Sequence, residues 1–202
     1  MKNLVEFFKK AEQFVRNNGF DQEIDWCDRR PSFDLCDEQR FLHEYAWVVF
    51  NSGMRNRVVA AKWNALKEAF EFFHRERIIQ NQATVMKNAL RVFGNYKKVA
   101  AVIDVATDHL SKWLEFHDDI RNDTLATLDA LPFIGPVTKY HLARNLGFDY
   151  IKPDRHLIRL SAQFNMTPFV LCEKIHQATG RRLGTVDVIL WRYCEQKGQV
   201  KL

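Results

Sequence analysis

The chain is predicted to fold entirely from α-helices. Apolar residues recur at three- and four-residue spacing along most of its 202 positions, the period of an amphipathic helix. Strand-like alternation never persists beyond a few residues, and Asp, Asn, Pro and Gly fall where helices would start or stop. Taken in order, Leu4, Phe7, Phe8, Ala11, Phe14 and Val15 mark a first helix. Asp37 is placed to cap a second through Phe41, Leu42, Tyr45, Ala46, Val48, Val49 and Phe50, which the polar Asn51-Ser52-Gly53 ends. A third is expected from Asn56 to Phe73, with Val58, Val59, Ala61, Ala65, Leu66, Ala69 and Phe70 inward. Shorter helices are expected near 82–93, 96–106 and 108–115, and Asn122 or Asp123 would cap one ending at Ala130.

After a turn at Leu131–Gly135, the next helix is expected to open on Pro136, where a missing N–H costs nothing, and to close on Gly147. Pro153 opens another through Leu157, Ile158, Leu160 and Phe164, and two more run near 168–178 and 185–196. The expected organisation has three parts. Residues 1–36 form an N-terminal helix and loop packing on the C-terminal lobe, 37–120 form one helical lobe, and 121–202 form the other.

Hydrophobic residues make up 47% and charged residues 27%, a globular balance that argues against disorder. Lys and Arg exceed Asp and Glu by 30 to 25, unevenly: 7 basic against 10 acidic over residues 1–50, 12 against 10 over 51–135, and 11 against 5 over 136–202. A basic C-terminal third beside an acidic N-terminal one points to a polyanionic partner. No run approaches the roughly 20 apolar residues of a membrane span, and the N-terminus lacks a secretory core, so the expectation is a cytosolic protein with no membrane partner. Cys27, Cys36, Cys172 and Cys194 have no metal-ligand spacing and read as reduced, buried small hydrophobes.

Two segments carry chemistry. In Leu131-Pro132-Phe133-Ile134-Gly135-Pro136-Val137-Thr138, a tight turn feeds a helix. Backbone N–H groups left open there, with the positive end of the helix dipole, suit a phosphate without any side-chain charge. Nineteen positions after Gly135, Lys152-Pro153-Asp154-Arg155-His156-Leu157 sets a lone carboxylate at the start of the following helix.

With these residues the chain resembles the helix-hairpin-helix DNA glycosylase superfamily, the endonuclease III-like group. Its Leu-Pro-Gly-Val-Gly-like hairpin is matched by Leu131–Gly135, with Phe133 in place of the first Gly, and its Asp-x-His segment by Asp154-Arg155-His156. Gly184–Cys194 looks like the family's last core helix, and Val48–Met54 sits where members carry an apolar helix ending in a DNA-probing loop. The resemblance is strong over about 121–196, weak over about 37–70, and absent over 1–36.

The resemblance implies a two-lobed helical fold and duplex DNA containing a damaged base as partner, read by a monomer. Asp154 would be the catalytic carboxylate, stabilising the cation-like sugar and orienting water. Phe133, Ile134, Gly135 and Val137, with Lys152, Arg155 and Arg159, would hold the DNA backbone. Asn51, Met54 and Arg55 would occupy the probing loop, with Met54 suited to slide between bases and Arg55 to reach a phosphate or the orphaned base. Trp26 and His141 are candidates for the base pocket. Bifunctional members carry a Lys where this chain has Val137, so monofunctional hydrolysis is expected; Lys139 is the alternative lyase nucleophile, and a non-catalytic DNA-binding protein the other alternative. Only eight residues follow Cys194 and none is Cys, so no iron–sulfur cluster is expected. The resemblance implies that hairpin carbonyls hold a monovalent cation. Which base is excised stays open among oxidised, alkylated, deaminated and mismatched ones.

Overall fold

The computed structural model describes residues 2–198, and every regular element among them is helical. The α-helices are α1 (Lys2–Asn17), α2 (Asp21–Asp28), α3 (Glu38–Asn51), α4 (Asn56–Ala69), α5 (Arg75–Gln80), α6 (Gln82–Val92), α7 (Tyr96–Thr107), α8 (Trp113–Asn122), α9 (Thr124–Asp129), α10 (Thr138–Leu146), α11 (Arg155–Gln163), α12 (Pro168–Thr179) and α13 (Leu183–Lys197). No helix is long and apolar enough to cross a membrane. The helices divide into two compact units, one of residues up to Pro31 with those from Gly147 on, the other of Ser32–Leu146. The expected boundary near 120 therefore lies at 146/147, and the hairpin belongs with the middle helices rather than with Asp154.

In the first unit α13 is the hub, packed by α1, α2, α11 and α12. Its core joins Leu4, Phe8, Ala11 and Val15, one stripe of α1, to Leu157, Leu160, Leu171, Ile175, Val186, Ile189 and Leu190. Each such aliphatic or aromatic side chain contributes about 1.5–3 kcal/mol by leaving water. Asp149 Oδ1 accepts from the Gly184 backbone N–H (3.0 Å) and so caps α13 from outside the helix. Residues 21–28, which sequence periodicity left unassigned, form α2 because Ile24 and Cys27 find α13 to bury against.

The charge asymmetry has its explanation here. Arg181 pairs with Glu12 and Asp28, Arg192 with Glu23 and Glu195, and Thr185 donates to Asp28. Acidic residues before Pro31 thus neutralise basic residues after Gly147 within one unit. Part of the C-terminal excess is thus taken up within the fold.

In the second unit α3 is central, packing on α4, α7 and α10. Asp37 caps it, accepting from the Arg40 N–H (2.7 Å), as its sequence position indicates. The helix expected over 56–73 stops at Ala69, because Glu71, Phe72 and Phe73 take positive φ of 51°, 53° and 63°. Its inner face is narrower than expected: Val59, Leu66, Ala69 and Phe70 are buried, whereas Val58, Ala61 and Ala65 are exposed. Likewise α10 begins at Thr138 rather than Pro136, and α11 at Arg155 rather than Pro153.

All four cysteines are buried, and none is in a disulfide. Burial, reinforced by the charge of Asp154, pushes the Cys194 thiol up to about 11, and burial with Asp187 raises Cys172 well above the usual range. A disulfide-exchange reagent at pH 8 is expected to label the native chain slowly and the denatured chain at once. Rapid native labelling would contradict this core.

Candidate nucleic-acid interface and catalytic carboxylate

The hairpin is anchored from both sides. Leu131 and Ile134 are buried, Ile134 N–H donates to Leu131 O (3.1 Å), and Tyr45 Oη of α3 donates to Pro132 O (2.9 Å). Burial and the charge of Asp104 raise the Tyr45 phenol well above its ordinary value, which keeps it a donor. Phe133 has φ of 62°, so its backbone takes the left-handed conformation that the resembled motif fills with Gly. For an L-residue this costs roughly 1–2 kcal/mol, and the surrounding anchors must hold it.

Gly135 N–H donates to Thr138 Oγ1 (2.8 Å), and Gly135 O accepts from Lys139 N–H (3.0 Å). The N–H groups of Ile134 and Gly135 are therefore consumed in building the turn, which corrects their assignment to DNA contact. Those of Phe133, Val137 and Thr138 have no acceptor among the described residues. An anion at the start of α10 would meet these three.

The expected probing loop lies in the same unit. Asn51 ends α3, its Nδ2 donating to Trp47 O (2.9 Å) and its Oδ1 accepting from Asn56 (3.3 Å), so it braces the loop instead of probing. Met54, 44% exposed, and Arg55 project. Loop and hairpin meet at a residue that the sequence reading missed. The buried Lys98 Nζ donates to Phe50 O (3.1 Å) and Ser52 O (2.5 Å), the carbonyl end of α3, and lies 5.9 Å from the centroid of the Phe133 ring. A cation there meets the negative end of the helix dipole. Burial lowers its pKa from the ordinary lysine value. The available signal was a Lys on the apolar stripe Lys98, Val102, Val105.

Asp154 sits in the other unit as the N-cap of α11. Its Oδ1 accepts from the N–H groups of His156 (2.9 Å) and Leu157 (3.2 Å), while Oδ2 has no hydrogen-bond partner among the described residues. The segment before it is pinned where Lys152 N–H donates to the buried Asp187 Oδ2 (2.9 Å). The side chain is half-buried, and its neighbours Arg155 and Arg159 are exposed, one turn apart on α11, with no ion pair among the described residues. One carboxylate oxygen thus fixes the orientation of the side chain, and the other has no partner within the described fold.

Other expected residues fare differently. Lys139 Nζ is bound to Asp129 Oδ2 (3.1 Å), fastening α10 to α9, and this is its visible role. Trp26 is on α2, and the Arg30 guanidinium covers its ring at 3.8 Å, so one ring face is already occupied. His141 is buried within α10, not at the surface. Of the hairpin carbonyls, those of Leu131, Pro132, Phe133 and Gly135 each accept an internal donor, and that of Ile134 has none among the described residues.

Comparison with protein-family models, with curated proteins and with solved structures finds no match to this chain.

Proposed function

We propose that this chain is a monofunctional DNA glycosylase of the helix-hairpin-helix type, two-lobed, acting on a damaged base turned out of duplex DNA. The observation that carries the reading is the divided carboxylate of Asp154, one oxygen locked by two backbone donors and the other without a partner. The first oxygen serves the helix cap, as in the Asp37 and Asp123 caps; the second is left to meet a sugar cation. In hydrolysis the N-glycosidic bond breaks, its electron pair leaves with the base, and a water oxygen bonds to the anomeric carbon. Asp154 Oδ2 would balance the charge developing on the sugar and accept the proton that water releases.

The hairpin supports the same reading. Its left-handed Phe133 keeps the turn's shape despite the missing Gly, and its open N–H groups at Val137 and Thr138 suit a phosphate. Met54 would fill the gap left by the extruded nucleotide, whose unstacking costs a few kcal/mol. Arg155 and Arg159 would neutralise phosphates near Asp154.

The test is incubation with duplexes carrying oxidised, alkylated, deaminated or mismatched bases. The expected product is free base plus a strand that breaks only after alkali; no released base from any substrate would overturn the reading. Borohydride trapping on the processed duplex should give no covalent adduct, since Lys139 is committed to Asp129. An adduct lost in Lys139→Ala would instead establish lyase chemistry.

A further inference from the structure

Residues 51–100 carry ten Lys and Arg but only three Asp and Glu, whereas residues 101–135 carry two and seven. Averaged over 51–135 this segregation vanishes. Unlike the arginines of α13 and its neighbours, Arg55, Arg91 and Lys97 are exposed and have no ion pair among the described residues. Uncompensated charge at several neighbouring positions costs self-repulsion, which a polyanionic partner relieves.

Bonds within this unit gather these residues around one turn. Lys62 Nζ of α4 donates to Val92 O at the end of α6 (2.8 Å), which brings the face of α4 below Arg55 to the turn between α6 and α7. Arg91 precedes that carbonyl by one residue. The turn continues through Gly94, Asn95 and Tyr96 to Lys97, and the adjacent Lys98 is bound to Ser52 O, three residues from Arg55. Phe50 and Phe93 pack beneath with ring centroids 5.0 Å apart. Tyr96, 63% exposed, opens α7 in this turn, and its hydroxyl has no hydrogen-bond partner among the described residues. Exposed Arg and Lys with a Tyr hydroxyl are the donors that fix a protein on a phosphate backbone without reading sequence.

We infer that the α6–α7 turn, with Arg91, Tyr96 and Lys97 beside Arg55, is a second duplex-DNA contact, gripping phosphates through residues other than those of the hairpin and Asp154. It shares with the glycosylase reading only the nature of the partner, and neither hairpin nor Asp154 takes part in its test.

Binding is measured on an undamaged duplex across a salt series, comparing wild type, Arg91→Ala/Lys97→Ala and Tyr96→Phe. Each phosphate contact contributes about 0.9 to the slope of log K against log salt. The double variant is expected to lower that slope by about 1–2 with an unchanged melting temperature. Tyr96→Phe should weaken binding severalfold with little change in slope. An unchanged slope and affinity in the double variant overturns the inference. So does a double-variant loss seen on anionic phospholipid vesicles or single strands but not on duplex. If no substrate releases base and the slope still falls, the glycosylase reading fails while this contact stands.

Discussion

Replacing Asp154 by Asn is expected to lower the rate of base excision at least 100-fold while leaving stability nearly untouched. The side chain has two separable jobs. Asn is as good an N-cap as Asp, so its amide oxygen can accept from the His156 and Leu157 N–H groups in the place of Oδ1. It cannot carry the negative charge that Oδ2 offers a forming sugar cation. Loss of a positioned general base or a charge-stabilising group typically costs 10²–10⁴ in rate. Asp154→Ala should show the same catalytic loss together with about 1 kcal/mol of destabilisation, because the cap goes too. The pair is read by single-turnover excision and thermal melting. Equal rates for wild type and Asp154→Asn would reduce Asp154 to a helix cap.

Lys98→Met carries the largest expected structural effect. Met fills similar volume and spares the cost of desolvating an ammonium, which is felt in the lowered pKa of Lys98. Against that gain, the carbonyls of Phe50 and Ser52 lose their donor at the end of α3. An orphaned buried acceptor costs about 1–3 kcal/mol; the Phe50 carbonyl is buried and that of Ser52 partly so, and the loss wins with a net destabilisation of about 2 kcal/mol. For a chain of this size that lowers the melting temperature by roughly 4–8 °C. Duplex affinity should fall as well, although Lys98 is buried, because the ammonium joins the Met54 loop to the Phe133 hairpin. A melting temperature within 1 °C of wild type would show that water or a neighbour replaces it.

Helix identity was legible wherever one apolar stripe met a capping residue. Asp37 and Asp123 cap as their positions suggest, and Gly147, with φ of 113°, lies just past the end of α10. What escaped was non-local. The end of α4 depends on three consecutive left-handed residues at 71–73, none of them Gly, and no local propensity signals that. The placement of residues 121–146 with the middle helices follows from Tyr45 and Arg40 reaching Pro132 and Leu146, contacts 87 and 106 residues apart.

The candidate site divides the same way. Asp154 at the start of a helix was readable from Pro153 before it, but its place as the cap and the division of its two oxygens were not. Charge counted along the chain misled, because Glu12, Glu23 and Asp28 are distant in sequence from Arg181 and Arg192 and adjacent in the fold. Coarse windows also hid the basic turn at Arg91–Lys97. The hairpin's hydrogen bonds show why donor residues cannot be assigned from a motif alone: Thr138 claims the Gly135 N–H for itself.

The central claim is that Asp154 stabilises positive charge on a sugar. It is tested most directly by comparing affinity for a duplex bearing a cationic abasic-sugar analogue with affinity for the neutral analogue at the same position. Wild type should prefer the cationic form by at least about 100-fold, as expected for a mimic of the transition state, and Asp154→Asn should lose that preference. Equal affinity of wild type for the two analogues would contradict it.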